Sequence, residues 1–176
     1  GVYAYSYDRY DQAVAEGKSC PVARDENGTP MTNFDGTVKP MYYYHGSTQY
    51  QFQGGDAIYE DINHDGSIDQ YDVVYLGNCN PKLTGGFGFT LRYDRFSLNV
   101  FCNYRWGNKI VNLARMNAEN MYYAYNQCTT VNWRWRKEGD VTDMPRAVYN
   151  QGYNWLASDR YVEDGSFLRV KYITLR

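Results

Sequence analysis

An all-β fold is predicted: antiparallel strands belonging to part of a large transmembrane β-barrel, with long extracellular loops and a short helix. Three features of the 176-residue chain point there. Its clearest strands are two-faced and match the about 9–11 residues that cross a bilayer on a tilt. Aromatics make up 18% of the residues and 20 of them are Tyr, although the mean hydropathy is only −0.70. Tyrosine carries an apolar ring and a wet hydroxyl, which suits a surface between hydrocarbon and water. No stretch approaches the run of about 20 apolar residues that a transmembrane helix needs, so any crossing is made by strands.

The elements follow in order. Residues 2–10 place Tyr3, Tyr5 and Tyr7 on one face and read as a strand. Residues 11–57 are rich in Gly, Pro, Asn, Asp, Ser and Thr around a cluster at Tyr42, Tyr43 and Tyr44, and read as a long irregular loop. Lys82–Arg105 gives the strongest β signal. Phe87, Phe89, Leu91 and Tyr93 share one face; after the turn Tyr93-Asp94-Arg95, Phe96, Leu98, Val100, Cys102 and Tyr104 share the next. Ser97, Asn99, Asn103 and Arg105 take the opposite face, with Phe101 as the exception. Strands in a soluble sandwich are usually about 5–6 residues, so their length favours a membrane wall whose polar face meets a wet lumen.

Ile110, Leu113, Ala114 and Met121 have weak helical spacing and predict a short helix or irregular turns within another long loop over 108–126. Val131, Trp133 and Trp135 alternate with Asn132, Arg134 and Arg136, which reads as a strand with interfacial tryptophans. Residues 138–165 read as loop. In the final run Leu168, Val170 and Tyr172 oppose Arg169 and Lys171. Both ends interrupt a strand pattern, so the expectation is a fragment.

Composition excludes several classes. Lys+Arg 18 against Asp+Glu 20 gives no basic excess for nucleic acid. Cys20, Cys79, Cys102 and Cys128 show no zinc spacing. Cys102 lies on an apolar strand face as a small hydrophobe. A bridge among Cys20, Cys79 and Cys128 stays open, with no spacing that selects a pair. His45 and His64 are far apart, and no nucleophile elbow, zinc-protease, phosphate-loop or dinucleotide fingerprint occurs.

One segment is sharply patterned. Within residues 61–72, Asp61, Asn63, Asp65, Asp69 and Asp72 place oxygen side chains at the first, third, fifth, ninth and twelfth positions. Gly66 stands sixth, where an EF-hand-like loop turns sharply, and Ser67 offers its backbone carbonyl from the seventh. Ile68 is the apolar anchor. Calcium takes six to eight hard oxygens, and this spacing wraps them about one point. The expectation is a Ca2+ loop of the dockerin type, with Asp72 where the helical EF-hand has Glu. The plain alternative is a polar turn that holds no ion.

Four ordered stretches carry a family resemblance. Residues 55–69 look like the "GD-x-x-Y-x-D-x-N-x-DG-x-I-D" segment of SusC/RagA-like TonB-linked outer-membrane transporters. Residues 76–87 are similar to their "GN-x-x-P-K-x-x-x-GF" strand opening, and Gly107-Asn108-Lys109-Ile110 resembles a "GNKI" strand end. Residues 158–171 resemble the signature "SDR", then a variable residue, "I or V", "EDGS", an aromatic, "LR-x-K". Together these cover roughly residues 55–175; residues 1–54 match weakly.

The resemblance implies a C-terminal barrel fragment of the plugged kind with about 22 strands, lacking the plug domain and the final strands. It implies import of oligosaccharide or peptide fragments across the outer membrane of a Gram-negative bacterium, in contact with outer-membrane lipid. A SusD-like surface lipoprotein would cap the barrel, and TonB would supply energy through the missing N-terminal part. Lumen-facing Asn99, Asn103 and Arg105 would line the solute path. Two other readings compete. A soluble calcium-stabilised carbohydrate-binding β-domain accounts for the loop and the aromatics but not for the long two-faced strands. A glycan-cleaving enzyme needs paired carboxylates across a cleft, and Glu60, Asp140, Asp159, Glu163 and Asp164 form no such pattern.

Overall fold

The computed structural model describes residues 2–5, 7, 8 and 21–176. Strands dominate and helices are few, as expected; among the described residues the sheets are small and none closes on itself. The strands Val2–Tyr5 (β1) and Tyr7–Asp8 (β2) fall in the expected opening run. The side chains of Tyr3, Tyr5 and Tyr7, together with Cys20, lie outside the described residues. The chain divides into two compact units, residues 4–74 with 112–161, and residues 1–3 with 75–111 and 162–176.

The first unit corrects the expectation of an irregular loop over 11–57, of which residues 11–20 lie outside the described residues. Residues 21–40 fold back on themselves through the bridges Arg24↔Pro30, Thr32↔Val38 and Val22↔Pro40. Asp25 Oδ1 accepts from the amides of Asn27 and Thr29, and Asp35 Oδ1 from that of Thr37. Aspartate thus closes each turn while a left-handed Gly28 or Gly36 completes it. Tyr42–His45 (β3) and Thr48–Gln51 (β4) then form a tight antiparallel hairpin. Ile58–Tyr59 (β5) pairs with β2, and Ser67–Ile68 (β6) lies parallel to β3.

A true core results. Met41, Tyr43, Phe52, Ala57, Tyr59, Ile68 and Leu156 are buried together, with Tyr50 and Tyr153 packed against them. Beside it, Asp56 is almost wholly buried and Arg146 Nε donates to its Oδ1 at 2.5 Å. Tyr50 Oη, the Gln53 amide and Asn154 Nδ2 also donate to Asp56. Pairing and hydrogen bonds of this kind offset the cost of burying the carboxylate. Burial, and then the Asp56 bond, push the Tyr50 hydroxyl up to about 12.

The expected short helix is Leu113–Glu119 (α1), capped by Asn112 Oδ1 accepting from the Arg115 amide. Glu119 is buried and accepts from Arg115 and Arg160. The expected strand at 131–137 is not formed. Thr129–Trp133 is a 3-10 turn instead. Trp133 consequently stands 76% exposed, while the Trp135 ring covers Gly55, whose missing Cβ would lie 2.2 Å from it. Alternation over seven residues is too short a pattern to separate a strand from a turn that packs one ring and displays the other.

The second unit holds the expected hairpin. After Val73–Gly77 (β7), Leu83–Tyr93 (β8) and Phe96–Trp106 (β9) are 11 residues each and pair antiparallel throughout. Phe87↔Cys102, Phe89↔Val100 and Leu91↔Leu98 lie on one face, and Thr84↔Arg105, Gly86↔Asn103 and Thr90↔Asn99 on the other. Phe101 on the polar face has a physical reason: its ring covers Gly86 and Gly88, where added Cβ atoms would meet it at 2.8 Å. It also stacks on Tyr172 with ring centroids 5.7 Å apart.

Lys109–Val111 (β10) pairs with Val162–Asp164 (β11), and Phe167–Leu175 (β12) pairs with β9. A bulge between Val170 and Tyr172 leaves Lys171 without a partner across the ladder. Because one extra residue flips the side-chain phase, Tyr172 lies opposite Phe101 and Ile173 opposite Val100. Tyr172 therefore leaves the apolar face on which the sequence placed it with Leu168 and Val170. That face is not covered among the described residues. Phe89, Leu91, Leu168, Val170 and Ile173 are all about half exposed or more.

Candidate functional site

The Asp61–Asp72 loop hangs on the core through Ile68, which is fully buried in β6. Its backbone is shaped by its own carboxylates. Asp61 Oδ2 accepts from the Gly66 amide at 2.7 Å, and Asp65 Oδ1 from the Ser67 amide at 2.9 Å. Asn63 Oδ1 accepts from the Asp65 amide at 3.1 Å, and its Nδ2 donates to Asp65 Oδ2 at 3.0 Å. Asp72 bridges the two ends, accepting from Ile62 and Asp69 amides at 2.9 and 2.7 Å. Asp69 Oδ1 accepts from the Tyr71 amide and caps the 3-10 turn Gln70–Asp72.

Two features go beyond a polar turn. Asp61 is 7% exposed, and its Oδ1 is buried without a hydrogen-bond partner. Burial raises the Asp61 carboxyl above the usual carboxylate range, opposed by the Gly66 amide and assisted by the Asp65 charge. Burial likewise raises Asp72, opposed by its amide donors and assisted by Asp61. Cationic charge does approach the loop: Lys39 Nζ donates to the Asp65 carbonyl at 2.9 Å. Gly66 is left-handed at φ +84°, and a Cβ there would fall 2.4 Å from that ammonium. The sixth position thus favours glycine for its left-handed backbone, and any side chain there would displace the Lys39 ammonium.

The six residues named from the sequence are gathered in one loop, with Asp61 and Asp72 inside and Asn63 and Asp65 exposed. Among the described residues, no group of three or more His, Cys, Asp or Glu side chains is arranged to hold a metal ion. An ion here would depend on Asn63 and on the Ser67 carbonyl as well. His64 is exposed in a left-handed turn. Cys79, Cys102 and Cys128 are free, so no bridge joins Cys79 to Cys128; Cys102 lies on the apolar face of β9, as expected, and is buried there.

The polar face of the second unit carries Asn99, Asn103 and Arg105 in one row along β9. Thr90 donates to Asn99 Oδ1. Nearby, the patterned stretches meet. The Gly107 amide donates to Ser166 Oγ at 2.9 Å, the Gly165 amide to the Asn108 carbonyl at 2.9 Å, and the Lys109 amide to the Asn78 carbonyl at 2.8 Å. A Cβ on Gly165 would lie 2.3 Å from Asn108 Nδ2. The Asp56–Arg146 pair, by contrast, was missed in the sequence. Its only signal is an aspartate directly after Gly55, with 90 residues to its partner.

Among the described residues, no helix is long and apolar enough to cross a membrane, which has no bearing on crossing by strands. No protein-family model matches the chain. It is 34% identical over 121 residues to TonB-dependent receptor P26 of Formosa agariphila. It is 31% identical over 132 residues to TonB-dependent receptor P39 and 28% over 120 to TonB-dependent receptor P3 of the same organism. These matches take in 68–70% of the chain but only 12% of each relative's length. Together with the two-faced 11-residue ribbon, they identify this chain as a segment that belongs to the TonB-dependent receptor family of the Gram-negative outer membrane.

Proposed function

We propose that this segment forms wall and outward loops of a SusC/RagA-like importer, driven through TonB, that takes up oligosaccharide or peptide fragments beneath a SusD-like lipoprotein lid. The observation that carries the reading is the β8–β9–β12 sheet, whose apolar face is uncovered and whose polar face presents Asn99, Asn103 and Arg105. In water such a face has no reason to stay bare; against hydrocarbon it needs no cover, while the polar row meets a wet channel. The role is transport rather than catalysis, with the named side chains lining the path.

The test is uptake and partition of the full-length receptor. It should remain with the membrane until detergent is added, and cells carrying it should take up fragments only with TonB present. Recovery from buffer without detergent would overturn the membrane reading.

The 61–72 loop is proposed to take Ca2+ through Asp61, Asn63, Asp65, Ser67, Asp69 and Asp72, stiffening the segment near the lid. The buried unpartnered Asp61 oxygen supports this. A divalent cation would satisfy that oxygen and offset the burial that raises Asp61 and Asp72. Calorimetric calcium titration of the folded receptor should give heat that Asp65→Ala removes. Equal null heats would end the proposal.

A further inference from the structure

The geometry points to a second ligand site: the groove lined by Trp133, Arg134, Arg136, Lys137 and Thr142 binds an acidic saccharide, one bearing carboxylate or sulfate groups. The 3-10 turn that replaces the expected strand builds it. Trp133 ends that turn and displays its indole, 76% exposed, while its carbonyl accepts from Thr142 Oγ1. The far wall is pinned by Asp140 Oδ2, which accepts from the Arg136 and Lys137 amides at 3.0 and 3.1 Å. The groove is open to solvent, offers about 770 Å³ and is also lined by Asn132 and Val141. That is room for roughly two or three sugar rings.

Its charge is oriented and available. Arg134 Nη1 donates to the Val131 carbonyl at 3.3 Å, and Arg136 Nη2 to the Asn132 carbonyl at 3.1 Å. These bonds hold each guanidinium by one edge and leave its other donors for a ligand. Among the described residues Arg134, Arg136 and Lys137 form no ion pair with a carboxylate. The one groove carboxylate, Asp140, is engaged by backbone amides. An exposed indole flanked by guanidinium groups is suited to a sugar whose C–H face stacks on the ring while its acid group takes paired N–H donors. A neutral saccharide would use the ring and leave the cations unanswered. An acidic peptide would use the cations and leave the indole bare.

The site deepens the importer reading by naming a cargo class, and it rests on that reading only for the fate of the bound ligand. The test uses the full-length receptor in detergent, titrated calorimetrically with trigalacturonate, with neutral galactotriose and with hexaglutamate. Trigalacturonate should bind at least about tenfold tighter than either of the others, and more weakly as salt rises. Trp133→Ala and Arg136→Ala should each lose about tenfold in affinity, and Trp133→Phe should retain most of it. Galactotriose or hexaglutamate binding as tightly, no binding of any probe, or an unaltered Trp133→Ala would overturn the site. Uptake of labelled trigalacturonate by cells is read separately. Tight binding without uptake would leave the site standing and count against transport.

Discussion

The two compact units solve the same problem in opposite ways. The unit built from residues 4–74 and 112–161 buries Phe52, Ile68 and Tyr59 in a core and pairs the buried Asp56 with Arg146. The unit built around β8, β9 and β12 pairs β9 along both edges, leaves the outer edges of β8 and β12 open among the described residues, and leaves most of its large apolar side chains bare. The first is finished in water; the second needs another medium. Backbone pairing and apolar burial are therefore separable requirements, and a membrane supplies only the second.

Four substitutions or conditions probe that contrast. The largest effect should come from Arg146→Ala, which leaves the Asp56 carboxylate buried and unpaired. We expect about 3–5 kcal/mol lost from the first unit, measured by urea unfolding of the full-length receptor, with a smaller loss for the double variant Asp56→Asn/Arg146→Ala. A cost below about 1 kcal/mol would show that this core is as open as the sheet.

Next in size, Val100→Arg on the uncovered face should cost about 2–4 kcal/mol when the receptor folds into lipid vesicles, with Asn99→Arg nearly neutral. Equal costs would mean that the two faces meet the same solvent. Phe101→Ala should cost about 1 kcal/mol by removing the Tyr172 stack and the cover over Gly86 and Gly88.

The smallest effect concerns pH at the 61–72 loop. Asp61 and Asp72 are raised above their ordinary value of 3.8 by burial, so their ionised forms cost local stability at neutral pH. Without calcium, that cost should fade as pH drops toward the raised values, and amide exchange in the loop should slow relative to its intrinsic rate. With calcium present, affinity should decline over the same interval because protons compete for the carboxylates. Exchange protection that rises steadily with pH in the absence of calcium would contradict the burial argument.

Much of this was legible in the sequence. The period-two pattern over 82–105 specified the hairpin, its register and its two faces, because one residue of slip would reverse every side chain. The Asp/Asn spacing with Gly66 specified a loop closed on itself. Other features left weaker marks. The folded arm over 21–40 was signalled by Asn27-Gly28 and Asp35-Gly36, two turn dipeptides that read as loop when their short flanking strands carry Pro and charge. The turn at 129–133 hides behind a seven-residue alternation. The Asp56–Arg146 pair depends on residues 90 apart, and no local pattern encodes it.

The unpaired Lys171 has a bearing on engineering. Anyone recoding the last strand by a strict every-other-residue rule from Phe167 would place greasy groups on the wrong side from Tyr172 onward. Deleting that single lysine should restore an unbroken ladder with Tyr172 and Ile173 still on their present faces, whereas substituting it keeps the bulge, so position 171 marks where the phase of a redesigned or grafted wall changes.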